Sequence, residues 1–111
     1  MTSGEEPVVV LSEKSEEAAI EQSNFLSVLA NRHRLHILFL LSCREHSCGE
    51  LMGELGETPV AVSRHLTILR ENNIIRSRRC GKIVRYSLTS EPTRRMVKVL
   101  AEIYLEPDIE P

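Results

Sequence analysis

Helical spacing of apolar positions accounts for most of this chain, and one stretch breaks from it. Ala18, Ala19, Phe25, Leu26 and Leu29 repeat at helical intervals behind Ser15, Glu16 and Glu17, which predicts a first helix over about 15–30. Asn31 is placed to cap a second helix carrying Leu35 and the run Ile37–Leu41. That helix is apolar nearly all round, so it is the expected central buried element, ending near Ser42 or Cys43. Arg44, Glu45 and His46 read as a short polar connection. Ser47 and Glu50 then stand at capping-box spacing before Leu51, Met52 and Leu55, and Gly56 supplies the stop. Thr58 followed by Pro59 is a second clear start, with Ala61, Val62, His65, Leu66 and Leu69 on one face of a helix reaching about Asn72. Two short helices joined across Gly56-Glu57 form a helix-turn-helix.

Beyond Asn72 the pattern changes. Ile74 to Arg79 and Lys82 to Leu88 read as two strands around Cys80-Gly81, a hairpin signal. Ser90, Glu91 and Pro92 open a last helix with Met96, Val97, Leu100, Ile103 and Tyr104, and Pro107 ends it. The expected fold is mainly α with a small β-hairpin: a winged helix-turn-helix. Residues 1–14 read as a flexible acidic arm, 15–105 as the folded domain and 106–111 as an acidic tail.

Composition adds an aliphatic core, since the chain has no Trp and only 4% aromatic residues. A domain of 111 residues buries a modest fraction of its surface, so association of two copies would help stabilise it. The acidic N-terminus MTSGEEPVVVL does not read as a signal peptide, and the longest apolar run, Ile37–Leu41, is too short to span a bilayer. An odd number of cysteines, three, gives no disulfide framework; a reducing cytoplasm is the expected setting. Net charge is −2, but its distribution is uneven. Between Arg64 and Arg85 seven cations face the single Glu71, whereas six Glu face one Lys from Met1 to Glu21. A basic segment between acidic ends is the footprint of phosphate binding. No nucleophile–base pair, glycine-rich phosphate loop or paired apolar carboxylates appear, so an enzyme is not expected and no cofactor is implied.

The stretches LANRHRLHILFLL and SCGELMGELGETPVAVSRHLTILRENNIIRSRRCGKIVRYSL closely resemble the ArsR family of bacterial transcriptional repressors, over about Leu29 to Leu88. The resemblance implies a homodimer joined through its first and last helices, bound to a twofold-symmetric DNA operator and released by a small effector. Metal-sensing relatives carry C-x-C-[DE]-L at the third helix, or Asp and His ligands between the last helices; here Ser47 and Gly49 occupy the two ligand positions and no His follows Met96, so the resemblance implies neither of those metal sites. The S-x-G-E-L form looks more like the sulfide- and persulfide-responsive branch. Its cysteine pair, however, falls on Phe39 and about Leu105 in this chain.

Helical geometry selects the DNA-facing residues independently. Opposite the apolar face of the fourth helix lie Val60, Ser63, Arg64, Thr67 and Arg70. Arg64 can fork to guanine or phosphate, Ser63 and Thr67 can bond either, and Val60 can pack on a thymine methyl. Many relatives carry Ser-Gln-Ser where Thr58-Pro59-Val60 stands, which implies an altered operator sequence. In the hairpin Arg78, Arg79, Lys82 and Arg85 can neutralise phosphates; Arg76 and Arg78 share one strand face and Arg79 takes the other. The alternative is a protein-interaction winged helix that does not bind an operator.

Cys43 and Cys48 flank His46 in LLSCREHSCGEL. They read as packing residues, as a thiol switch for an oxidant, sulfur species or thiophilic metalloid, or as part of a metal site. Cys48 opens a helix, whose dipole lowers a thiol pKa, and a Cys43–Cys48 bridge is sterically conceivable. Cys80 is expected at an exposed hairpin tip. His65 reads as a packing or hydrogen-bonding residue, and His33 and His36 as solvated.

Overall fold

The computed structural model describes residues 5–104, with side chains from residue 14 onward, and divides into an N-terminal unit up to Ala30 and a second unit from Asn31. The first unit is one long helix, α1 (Glu5–Leu29), broken at Lys14, whose φ of −115° and ψ of 16° are not helical. The segment expected to be a flexible arm is therefore helical from Glu5. Pro7 falls in the first turn, where no backbone donor is lost. The break coincides with the expected start at Ser15. Residues 1–4, and the acidic tail expected over 106–111, lie outside the described residues.

Each helix start in the second unit is fixed by its own side chain. Asn31 Oδ1 accepts from His33 N and Arg34 N, both at 3.0 Å, and opens α2 (Arg32–Cys43). The capping box at Ser47 is complete: Glu50 N donates to Ser47 Oγ at 3.1 Å and Ser47 N donates to Glu50 Oε1 at 3.0 Å, opening α3 (Cys48–Leu55). Gly56 ends α3 in the left-handed region, φ 65°, where a Cβ would be strained. Thr58 Oγ1 accepts from Ala61 N at 3.2 Å, and Pro59 is the first residue of α4 (Pro59–Glu71).

A three-stranded antiparallel sheet follows, ordered β1-β3-β2, from β1 (His46–Ser47), β2 (Ile75–Cys80) and β3 (Ile83–Leu88). The hairpin turn is Gly81-Lys82 rather than the Cys80-Gly81 read from the sequence. Cys80 pairs with Ile83, and Gly81, at φ 65°, takes the first central position that primed turns reserve for glycine. Strand β1 escapes sequence reading because two residues have no period. It forms because His46 and Ser47 pair with Tyr86 and Arg85. Helix α5 (Glu91–Tyr104) closes the unit; Ser90 Oγ accepts from Thr93 N at 3.2 Å and donates to the Thr93 hydroxyl at 2.8 Å, which satisfies a fully buried threonine.

The core is aliphatic, as composition requires. Ile37, Leu38 and Leu41 of α2 are buried with Leu51 of α3, Val62, Leu66 and Leu69 of α4, Ile74, Ile75, Leu88, and Val97 of α5. Helix α2 packs against α3, α4, α5 and β3, and so occupies the centre that its all-round apolar character predicts. Large apolar side chains remain exposed on α1 (Ile20 and Leu26), on α4 (Val60), on β3 (Ile83) and on α5 (Val99, Ile103 and Tyr104). Among the described residues no helix is long and apolar enough to cross a membrane.

Candidate nucleic-acid interface

Helix α4 separates its two faces as its periodicity requires. Val62, Leu66 and Leu69 are buried, Ala61 and His65 half-buried, while Ser63, Arg64 and Arg70 are exposed and Val60 keeps 67% of its surface accessible. Pro59, Val60, Ser63, Arg64, Thr67 and Ile68 line one shallow open groove along this helix. Thr67 is half-buried, so less of it is presented than of Ser63 or Arg64. The groove adds Ile68, which sequence reading left out although it lies one turn beyond Arg64.

A histidine cluster supports α4 from behind. His33 Nε2 lies 3.3 Å from Glu57 Oε2, tying the start of α2 to the turn of the helix-turn-helix. The His33 and His65 rings stack obliquely at 5.7 Å, and Arg34 Nη1 lies 3.3 Å from His65 Nδ1. A guanidinium only donates, so Nδ1 of His65 must be the bare nitrogen of a neutral ring. His33 is thus half-buried and partnered, not solvated; only His36 is exposed. Burial, with Arg34, His33 and Arg64 nearby, holds the His65 pKa below its usual value, although Glu57 opposes this. Between that lowered value and the ordinary one of about 6.5, the unfolded chain binds more protons than the folded one. Stability from this group is complete above about pH 6.5 and is lost as pH falls through the folded pKa. The urea midpoint of wild type should therefore fall further between pH 7 and pH 5 than that of His65→Gln; equal falls would show that His65 is not a source of the pH dependence.

The sheet decides which wing cations are available. Arg78 and Arg85 are cross-strand partners and share a face, as do Arg76 and Ser87; Arg79 pairs with Val84 on the other face. Arg78 is bound to the Glu45 carboxylate at 2.6 Å and donates to Cys80 Sγ at 3.0 Å. Arg85 and Arg44 lie 3.4 Å and 3.7 Å from Glu50 Oε1. The Glu50 carboxyl is held below its usual pKa, first by the Ser47 backbone N–H and then, among its charged neighbours, by Arg85, Arg44 and His46. Arg79 and Lys82 are exposed at the hairpin end, with no carboxylate partner among the described residues. Sequence reading found the cations but missed their partners, because Glu45 and Glu50 are more than 30 positions away in the chain.

The cysteine junction differs from its expectation most. His46, between the two thiols, is 3% exposed and its Nδ1 lies 2.9 Å from the Arg44 carbonyl. Cys43 is the exposed residue, Cys48 is half-buried, and all three cysteines are free. Burial pushes the Cys48 thiol up, opposite to the helix-dipole expectation, which makes it a poorer nucleophile at neutral pH. Between Cys43 and Cys48 the backbone is extended at Arg44 and paired to β3 at His46–Ser47. Cys80 is half-buried beside Arg78 rather than exposed. No group of three or more His, Cys, Asp or Glu able to hold a metal ion occurs among the described residues.

Known proteins resemble this chain in sequence and fold. The family described as bacterial regulatory protein, arsR family, matches residues 31–77, from the cap of α2 into β2. The nodulation protein NolR of Rhizobium meliloti is 37% identical over 92 residues, covering 83% of this chain and 75% of that protein. Reduced HlyU from Vibrio cholerae superposes with a TM-score of 0.80 at 31% identity, covering 85% of this chain and 99% of that one. The transcriptional repressor BigR from Xylella fastidiosa gives a TM-score of 0.78 at 31% identity over 90% of this chain and 99% of that one. With its capped helix-turn-helix, its basic wing and relatives at this level of identity, the chain belongs to the ArsR family of bacterial regulatory proteins.

Proposed function

We propose that this protein is a cytoplasmic transcriptional repressor that occupies a twofold-symmetric DNA operator as a homodimer. The observation that carries this reading is the exposed α4 strip of Val60, Ser63 and Arg64, accompanied by wing cations Arg79 and Lys82 that no described carboxylate neutralises. A helix of this kind enters the major groove while the wing meets the flanking backbone. Thr67 and Arg70 extend the strip along the helix. Arg78 and Arg85 stand on the wing but already hold carboxylates, so they contribute less than their charge suggests.

Dimerisation through the first and last helices gives the exposed Ile20 and Leu26 of α1, and Val99, Ile103 and Tyr104 of α5, a place to be buried. Two copies related by a twofold axis then require half-sites about one helical turn apart. Release by an oxidant, a sulfur species or a thiophilic metalloid would act on Cys43 or Cys48; Cys43 is the more accessible of the two.

The test is selection of bound fragments from a random DNA library, followed by gel shift of the winner across a salt series. An inverted repeat bound far more tightly than shuffled DNA, with a slope set by phosphate contacts, is the expected result. Arg79→Ala should flatten that slope by about one unit per protomer. Weak binding to every fragment alike would favour a protein-interaction module instead. Treating the bound complex with arsenite, peroxide or polysulfide, in wild type, Cys43→Ser and Cys48→Ser, tests the effector; identical responses in all three would remove the thiol switch.

A further inference from the structure

The wing does not offer its arginines freely, and the side chains that hold them come from the DNA-binding motif itself. Glu45 ends the connection after α2, one residue before β1. Because the sheet is ordered β1-β3-β2, a bond from Glu45 to Arg78 on β2 passes over β3. Glu50, on the first turn of α3, holds Arg85 of β3 on the same face that Arg78 occupies. Three arginines, Arg44, Arg78 and Arg85, thus share two carboxylates on one side of the wing.

These pairs are exposed: the Arg78 side chain is 61% and the Glu45 side chain 36% accessible. Exposed pairs of this kind contribute little to folding. Their consequence lies in what the guanidinium can do next. Carboxylate and phosphate are bound by the same planar fork of donors, so a guanidinium occupied by one gains less from the other. Glu45 also lies within the same surface that a DNA backbone must approach to reach Arg78, and would repel it.

We infer that Glu45 and Glu50 act as specificity-determining residues, intramolecular phosphate surrogates that withhold Arg78 and Arg85 from DNA backbone. They keep sequence-independent binding weak, while the exposed α4 strip reads the operator. The inference rests on the operator-binding reading above and assigns it a restraint. Non-specific DNA engages the wing through charge alone, so it loses most from the restraint. Operator DNA retains its base contacts and loses a smaller fraction of its affinity.

The experiment compares wild type, Glu45→Gln, Glu50→Gln, Arg78→Ala and Glu45→Gln/Arg78→Ala on a selected operator and on shuffled duplex. Glutamine keeps the shape in both cases, and at position 50 it still completes the capping box. Glu54→Gln, on the exposed part of α3, controls for the loss of one negative charge anywhere on the protein. Glu45→Gln should bind shuffled DNA more tightly, with a salt slope steeper by about one unit per protomer. Between 50 and 200 mM salt its affinity should then fall about 3.5-fold further than wild type for each protomer engaged. The ratio of operator to shuffled affinity should drop, and adding Arg78→Ala should abolish the gain. Unchanged slopes for Glu45→Gln and Glu50→Gln, or an equal gain from Glu54→Gln, would overturn the restraint while leaving operator binding intact. Wild type that binds neither duplex would overturn operator binding and the restraint together.

Discussion

Arg64→Ala is expected to weaken binding to a selected operator by about 1–3 kcal/mol per protomer, roughly 5- to 150-fold, with little change in thermal stability. Arg64 sits in the middle of the exposed α4 strip, between the hydroxyl of Ser63 on one side and that of Thr67 one turn on. It has no carboxylate partner among the described residues, unlike Arg78 and Arg85, so its five donors are available to a guanine edge or a phosphate. Arg64 is exposed, and exposed substitutions usually change stability by less than about 0.5 kcal/mol. Comparing operator with shuffled duplex separates the two roles. A loss confined to the operator assigns a base contact, and an equal loss on both assigns a phosphate. Wild-type affinity on both would take Arg64 out of the interface.

Leu38→Ala should do the reverse. Leu38 is wholly buried in the helix that touches α3, α4, α5 and β3, so its removal leaves a cavity that several elements would have to collapse to fill. Such truncations cost about 2–5 kcal/mol, a large share of the 5–15 kcal/mol typical of a whole domain. The urea midpoint should fall steeply, while any protein still folded keeps its affinity for DNA. A cost below about 1 kcal/mol would mean that α2 is not the centre of the packing.

Much of this molecule was legible before folding was considered. Asn31, Ser47 and Thr58 each cap the helix that follows through a bond to a backbone N–H two or three residues on, and Gly56 stops α3 where its φ is positive. These are interactions within one turn of chain, so residue type and spacing suffice to find them. The faces of α4 followed from the helical period, and the aliphatic core from the near absence of aromatic residues. The helical extent of 5–13 was not found, because acids and a proline read equally well as a loose arm or as a helix's first turn.

The DNA-facing strip sits between these cases. Val60, Ser63, Arg64 and Arg70 are exposed as periodicity requires, whereas counting wing cations overstated how many are free. LLSCREHSCGEL read as packing cysteines, a thiol switch or part of a metal site, with His46 in a short polar connection. In the fold its histidine is buried, its Cys48 is pushed up by burial, and its two glutamates face the wing.

By itself, then, the sequence determined the order of helices, their caps and stops, the basic hairpin and the exposed face of α4. Those features depend on neighbours within about one helical turn, or on a period that repeats along one element. Only the tertiary structure decided that His46 and Ser47 form a third strand, that His33 and His65 meet behind the recognition helix, and that Glu45 and Glu50 hold Arg78 and Arg85. Each of those pairings joins residues about 30 to 40 positions apart, and a local pattern carries no record of which distant side chain will be folded against it.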